Sequence, residues 1–152
     1  MPIFNRRFID SEKNLVPPHL ASVGPRLPIH VNIPTVLAEA LKGLNQKLPS
    51  PVKGYCLIDT GASITSVDEE VIVQLGIQPI GKIPVATPDK AEERYVYPAL
   101  FIFPSPLPTI EFSRVVSLKL SHLNIIALLG RDILQRSALF YNGPGATFTL
   151  TI

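Results

Sequence analysis

The sequence predicts a mainly β domain with a few short helices, and three observations lead to this fold class. Sixteen of the 152 residues are proline, about twice the usual share of roughly 5%. Proline interrupts helices and central strands, so this composition favours short strands joined by bends. Several short runs along the chain have the patterns of strands. The length suits one domain with a real core.

The bulk charge and the rare residue types exclude several kinds of protein. Fourteen basic and twelve acidic residues give a net charge of +2, so we expect no nucleic-acid partner and no attraction to anionic lipid. No apolar run approaches the roughly 18 residues that cross a bilayer. The start "MPIFNRRFID" lacks the apolar stretch of a secretory signal, and we expect a cytoplasmic protein.

The single cysteine and the three histidines do not suggest a metal or cofactor site. One cysteine cannot form an internal disulfide or a cysteine-rich metal centre. His19, His30 and His122 show no spacing typical of metal ligands. We therefore predict no metal and no cofactor.

The first third of the chain predicts an arm followed by the start of the domain. Residues 1–27 show no sustained period and predict an extended N-terminal arm, ordered only if it packs on something. The domain proper is predicted over 28–152. It starts with a strand over 28–33 and a short amphipathic helix after Pro34, and a second strand follows over 52–58. The apolar face of that helix comprises Val36, Leu37, Ala40, Leu41 and Leu44.

The segment "SVDEEVIVQLG" predicts a second helix. Ser66 and Glu69 have the spacing of a capping box, and the acidic residues that follow Val67 suit the positive end of the helix dipole. Gly76 is a natural stop. The predicted buried stripe comprises Val67, Val71, Ile72 and Leu75.

A hairpin and a further strand are predicted next. Strands over 82–87 and 94–103 flank the charged tip "PDKAEE", which we expect to stand in solvent. Residues 110–120 alternate well enough to form another strand.

The C-terminal part predicts three further elements. The continuous apolar run "NIIALLG" is consistent with a strand buried on both sides. The segment "RDILQRS" predicts a brief helix, and "ATFTLTI" predicts a terminal strand with a period of two. No internal repeat is found.

The stretch "YCLIDTGAS" (55–63) places one carboxylate, Asp59, at the end of an apolar run. Alternation puts Tyr55, Leu57 and Asp59 on one face of the strand and Cys56 on the other, where it is a core residue rather than a reactive thiol. Gly61 permits the tight turn that follows. A bare Asp-x-Gly is common in surface turns, but the apolar residues on both sides of this turn argue against that alternative.

Two segments resemble a known family. "LIDTGAS" resembles the active-site signature of aspartic proteases, in which two apolar residues precede Asp-Thr/Ser-Gly-Ala/Ser. "IIALLGRDIL" (125–134) is similar to the apolar-apolar-Gly-Arg-Asn/Asp segment before the C-terminal helix of retroviral-type proteases. The hairpin between them resembles the flap, and the terminal strand resembles the dimerising strand. The resemblance covers roughly 28–152 and is specific at 57–63 and 128–132.

The resemblance implies a retropepsin-like closed β-barrel with short helices, one lobe per chain, and an aspartic endopeptidase. Aspartic proteolysis uses two carboxylates that share one proton, because like charges about 3 Å apart cannot both ionise. One activates a water and the other polarises the peptide carbonyl. This chain has a single Asp-Thr-Gly, so a homodimer is implied, with Asp59 as the catalytic residue of each copy. The implied substrate is a peptide or protein.

Roles for the rest of the active-site loop follow from the same resemblance. Thr60 would reach across the two-fold axis to the other chain's loop, and Gly61 would offer backbone contacts to bound peptide. Ala62 occupies a position where pepsin-type enzymes usually carry a hydroxyl. The missing hydroxyl implies a working range less acidic than pepsin's. The two carboxylates would titrate as a unit.

The downstream segment is implied to support the loop, through Leu129, Gly130, Arg131 and Asp132. Gly130 would allow tight packing behind the turn. Arg131 would pair with an acid just after the catalytic loop, which makes its role structural. Ser63 stands at that acidic position here, so the pair would need another carboxylate such as Asp132.

Substrate contacts are expected from the flap and from residues after the turn. The candidates are Ile64, Ile83, Val85, Ala86, Thr87 and Pro88. The apolar members could equally be core residues; if they line pockets, residues that flank the cleaved bond should be apolar. The flap tip "TPDKAEER" contains no glycine, unlike the glycine-rich retroviral flaps, so closure could be stiffer or use other hinges.

Two alternatives stay open at this point. The altered flap tip and Ser63 fit a retropepsin-like dimerisation or peptide-binding module that no longer cleaves. The proline-rich arm fits a protease embedded in a larger precursor, with 1–27 as a linker or processing site.

Overall fold

The computed structural model of the protein describes residues 1–86 and 90–152, and its fold is mainly β, as predicted. The strands are β1 (Ile3–Arg7), β2 (Arg26–Asn32), β3 (Val52–Ile58), β4 (Ser66–Asp68), β5 (Gly81–Ala86), β6 (Ala91–Ile102), β7 (Ile110–Leu118), β8 (Ala127–Leu129), β9 (Ala138–Asn142) and β10 (Thr147–Thr151). The helices are α1 (Pro17–Val23), α2 (Thr35–Gly43), α3 (Glu69–Leu75) and α4 (Arg131–Leu134), with a 3₁₀ turn at Ser121–Leu123.

Seven strands form one sheet in the order β2-β3-β8-β4-β7-β6-β5. β2 also pairs antiparallel with β6, through His30 to Asn32, so six of these strands form a continuous ring of pairings. Strand β8 runs parallel to β3 on one side and antiparallel to β4 on the other. β3 and β4, which follow each other in the chain, are therefore separated in the sheet by β8. The loop between β3 and β4 has to pass over the end of β8.

The core lies inside this sheet and beneath α1 and α3. Its largest fully buried side chains include Phe101, Phe148, Leu20, Leu27 and Leu129. The run predicted as a doubly buried strand contains β8, in which Ala127 and Leu129 are buried and Leu128 is half-buried. The core is continuous from the N-terminal helix to the terminal strand.

The first 27 residues differ from the predicted extended arm. β1 pairs antiparallel with β10, from Ile3 opposite Thr151 to Arg7 opposite Thr147. Phe8 and Leu20 are buried in the common core. The sequence pattern missed this strand because its pairing partner lies at the other end of the chain. The division of the chain at residue 28 stays a prediction.

The helix predicted at residue 66 starts later than expected. Ser66 to Asp68 form β4, which pairs with β7 and β8, and the helix begins at Glu69. Its cap is Asp68, whose carboxylate accepts a hydrogen bond from the Glu70 backbone. The predicted capping box was wrong because pairing on both edges holds Ser66 in a strand. The stop at Gly76 and the buried helix face of Val71, Ile72 and Leu75 are confirmed. Val67 is buried as predicted, but it belongs to β4.

Helix α2 also departs from its prediction. Val36 and Leu44, expected on its buried face, are 75% and 69% exposed. Leu37 and Leu41 are only half-buried. No helix in the described residues is both long and apolar enough to cross a membrane.

A second, three-stranded sheet has the order β1-β10-β9. The terminal strand β10 is its centre and is paired on both edges. This pairing argues against the predicted dimerising role of β10, because a strand with both edges paired has no free edge for a partner strand. The two edges of this sheet belong to β1 and β9.

Candidate active site

Asp59 follows directly after the last residue of β3, where the parallel pairing with β8 ends. Cys56, Leu57 and Ile58 lie opposite Ala127, Leu128 and Leu129. The Asp59 backbone N–H extends this ladder by donating to the Leu129 carbonyl, at 3.0 Å. The position of the Asp59 backbone is thus fixed by the central strands of the sheet.

The Asp59 carboxylate is half-buried and is anchored by one backbone donor. The Gly61 N–H donates to its Oδ1 at 2.8 Å, and the Ala62 N–H donates to the Asp59 carbonyl at 3.2 Å. A Cβ on Gly61 would lie 3.0 Å from Oδ1. The turn therefore orients one carboxylate oxygen, and the absence of a side chain at Gly61 leaves room beside it. This confirms the turn predicted from the sequence.

Gly130, for which the resemblance implies tight packing behind the turn, lies against the backbone of the loop after the turn. A Cβ at this position would come within 2.5 Å of the Ile64 carbonyl carbon and 2.8 Å of the Thr65 nitrogen. Both atoms belong to the backbone and cannot be moved by a change of rotamer. Only glycine fits between β8 and the loop here.

Thr65 and Asp132 form a partly buried polar pair that the sequence did not reveal. Thr65, which is fully buried, donates from its backbone N to Asp132 Oδ2 at 3.0 Å and from Oγ1 to Asp132 Oδ1 at 2.7 Å. The Gly130 N–H donates to Thr65 Oγ1 at 3.1 Å. A threonine after an isoleucine has no distinctive pattern, so only the fold could show that Asp132 contacts it.

Arg131 does not form the ion pair that the resemblance implies. Its Nη1 donates to the carbonyl oxygens of Thr60, at 2.7 Å, and of Gly61, at 2.9 Å. The Asp132 carboxylate accepts hydrogen bonds from Thr65 instead. In the described part of the chain no salt bridge involves Arg131. Ser63 stands where the resemblance implies an acid, and the guanidinium binds the loop backbone directly.

The contact between Arg131 and the loop acts on Asp59 through one peptide unit. The Thr60 carbonyl and the Gly61 N–H belong to the same peptide group. The carbonyl accepts from the Arg131 guanidinium while the N–H donates to Asp59 Oδ1. Hydrogen bonds in such a chain polarise each other and strengthen. Arg131 thus helps to orient the group that holds the carboxylate.

The remaining predicted residues of the loop after Asp59 differ in their exposure. Thr60 and Ser63 are exposed, Ala62 is half-buried, and the Ala62 carbonyl accepts from the Arg131 backbone N–H at 2.9 Å. Ile64 is half-buried and borders a cavity of about 370 Å³ whose lining includes Asp132 and Ile133.

The hairpin candidates do not share one face. Ile83 and Val85 are half-buried on one side of β5, and Ala86, exposed, is on the other because side chains alternate along a strand. The apolar candidates Ile64, Ile83, Val85 and Ala86 therefore cannot form one continuous pocket wall. Thr87 and Pro88 lie outside the described residues.

Cys56 is a core residue, as expected. Its side chain is fully buried beside β8, and this burial raises the pKa of the thiol well above its usual range. A thiol with a raised pKa is a poor nucleophile at neutral pH. The described residues contain no cluster of three or more side chains of the kinds that hold metal ions.

Comparisons with known proteins give a likeness to solved structures but none to family models or curated sequences. No family model matches the sequence, and no curated protein matches it either. Among solved structures, the chain is similar to a retropepsin-like aspartic protease from Rickettsia conorii, with 14% identical residues and a TM-score of 0.48. The alignment covers 97% of this chain and 91% of that one.

Proposed function

We propose that the protein is an aspartic endopeptidase that acts as a homodimer, with Asp59 from each copy forming the catalytic pair. The observation that carries the proposal is the Asp59 turn: a half-buried aspartate directly after β3, whose carboxylate is oriented by the Gly61 N–H, in an Asp-Thr-Gly that occurs once per chain. In this proposal the fold is the closed retropepsin-like barrel. The β2–β6 pairing supports that closure.

The proposed reaction is the addition of water to a peptide carbonyl. One Asp59 carboxylate takes a proton from the water, and the water oxygen attacks the carbonyl carbon. The other Asp59, which is protonated, donates its proton to the carbonyl oxygen. Collapse of the tetrahedral intermediate returns that proton, breaks the C–N bond and passes the first proton to the leaving amine. No covalent enzyme intermediate forms.

The proposed substrate is an extended peptide between the loops and the two β5–β6 hairpins, bound by main-chain hydrogen bonds as an added strand. Ile83 and Val85 share a face of β5 and are proposed to contact apolar side chains near the cleaved bond. Gly61 is proposed to offer its backbone to the peptide.

The test is a peptide-library digest with the wild-type protein and Asp59→Asn at pH values from about 4 to 7. We expect Asp59→Asn to lose at least about 100-fold in activity, because removal of a positioned acid or base costs that much or more, and to keep its dimer. The matched control is Asp10→Asn, which changes a carboxylate in the N-terminal loop 10–14 and should keep full activity. An Asp59→Asn variant with wild-type activity would refute the assignment.

The dependence on a second copy is tested by dilution. If each active site needs two chains, specific activity falls as the protein concentration drops below the dimer dissociation constant. A wild-type protein that cleaves no peptide at any of these pH values would instead favour the non-cleaving binding module.

A further inference from the structure

β9 is an edge strand with one side of its backbone open. In the described part of the chain it pairs only with β10, from Ala138 opposite Thr151 to Asn142 opposite Thr147. The N–H and C=O groups along an unpaired edge form a ready template for another strand. The free edge of β9 is therefore a candidate interaction surface.

Two neighbouring aromatic side chains on β9 are exposed. Phe140 is 63% exposed and Tyr141 is 46% exposed. Successive side chains of a strand point to opposite faces, so β9 is open on both faces as well as along its edge. Among the described residues, no other two adjacent large hydrophobic residues are both exposed. A partner strand beside β9 would cover both rings.

β9 also lacks the charges that usually protect an edge. Its sequence, ALFYN, contains no ionisable acid or base other than the tyrosine. The opposite edge of the same sheet, β1, carries Arg6 and Arg7, and charged side chains are a common way to prevent edge pairing. Of the two edges, β9 is the one suited to bind another strand.

We propose that β9 pairs antiparallel with β9 of a second copy of this chain, across a two-fold axis at Phe140. Phe140 would then lie opposite Phe140 of the partner subunit. The two sheets would merge into one of six strands, ordered β1-β10-β9 and then the same three reversed. This deepens the proposed function and rests on it, because it names the surface through which the proposed homodimer forms.

A second copy is the occupant favoured by symmetry and by charge. When a strand pairs with its own copy about a two-fold axis, like residues come close together, and β9 has no charged side chains that would repel each other. The proposed active site also needs Asp59 from a second copy. The strand is also linked to the site. Arg131, which contacts Thr60 and Gly61, begins α4, and residues 135–137 connect α4 to β9.

The experiment is a charge swap at the proposed axis. Phe140→Lys and Phe140→Glu are made separately, with Val73→Lys as the control, because Val73 is 79% exposed on α3. The association state of each protein is measured by sedimentation across a concentration series, together with folding by circular dichroism and peptide cleavage. The two Phe140 variants are then mixed.

We expect each Phe140 variant alone to be folded and to have a dimer dissociation constant raised at least tenfold. Cleavage should fall in parallel. The equimolar mixture should recover both dimer and activity, since Lys and Glu then face each other. Val73→Lys should behave as wild type. Recovery in the mixture is an outcome that misfolding cannot produce.

Separate results overturn the two proposals. If the wild-type protein dimerises and Phe140→Lys dimerises equally well, the β9 interface is wrong while the proteolytic function stands. Loss of the dimer in both variants without recovery in the mixture also overturns the two-fold pairing at Phe140. A wild-type protein that dimerises through β9 but cleaves nothing would contradict the proposed function alone.

Discussion

The loop that carries Asp59 is held by residues far away in sequence, whereas β5 of the hairpin is held by the strand next to it. The hydrogen bonds from Thr65 to Asp132 and from Arg131 to Thr60 span 67 and 71 positions. β5 pairs with β6, directly after it in the chain, and none of its six residues is buried. The loop thus depends on the whole fold, and the hairpin on local pairing.

This difference suits the two regions to the different tasks that we propose for them. Catalytic groups need a fixed geometry, which long-range buried contacts provide. A segment that covers a substrate needs to open and close, and such segments come from the less stable parts of a fold. We therefore expect substitutions in the loop support to cost much more stability than similar substitutions in the hairpin.

The largest expected effect is that of Gly130→Ala. Its new Cβ would overlap backbone atoms of Ile64 and Thr65, the nearest at 2.5 Å, and overpacking of this kind costs about 3 kcal/mol. The hairpin control is Gly81→Ala, whose Cβ would meet Val96 Cγ2 at an ordinary 3.7 Å; we expect a change under about 1 kcal/mol. Urea unfolding of both variants measures the difference. Equal midpoints would contradict the contrast between the two regions.

A smaller effect is expected at Arg131, on the polar support of the loop. Arg131→Gln removes a charged donor from the Thr60 and Gly61 carbonyls, and such a hydrogen bond is worth roughly 1.5 kcal/mol. We expect the Gly61 amide to exchange with solvent about tenfold faster, and the free energy of unfolding to fall by about 1.5 kcal/mol, which is less than for Gly130→Ala. Hydrogen exchange followed by NMR reads this directly, without an activity assay.

The control for Arg131 is Arg136→Gln, which removes the same charge further along the chain. Its Gly61 amide should exchange at the wild-type rate. If both variants speed exchange equally, the effect comes from net charge and the contact through the Thr60–Gly61 peptide is not responsible.

The same contrast explains how much the sequence could predict. β3 was predicted with its observed bounds, and the turn after Asp59 was expected, because local patterns specify both. The tight packing at Gly130 was implied by the resemblance alone. β1 and the Thr65–Asp132 pair were missed, since each depends on a partner brought near only by the fold. β9 was missed although its partner, β10, follows it directly in the chain. Ser66 is the instructive error: a good local capping pattern lost to strand pairing on two edges.

The smallest expected effect concerns the charges on the hairpin and depends on pH. The ammonium of Lys90, which hydrogen-bonds Glu92, and then the Arg94 guanidinium lower the pKa of the Glu92 carboxyl. A folded-state pKa below the unfolded one means that the stabilisation is present above the unfolded value and is lost as the pH falls through the folded one. Glu92→Gln should therefore lower the melting temperature slightly at pH 7 and leave it unchanged at about pH 2. A melting difference that persists in acid would mean that Glu92 acts through packing, and the hairpin would then depend on more than local surface charge.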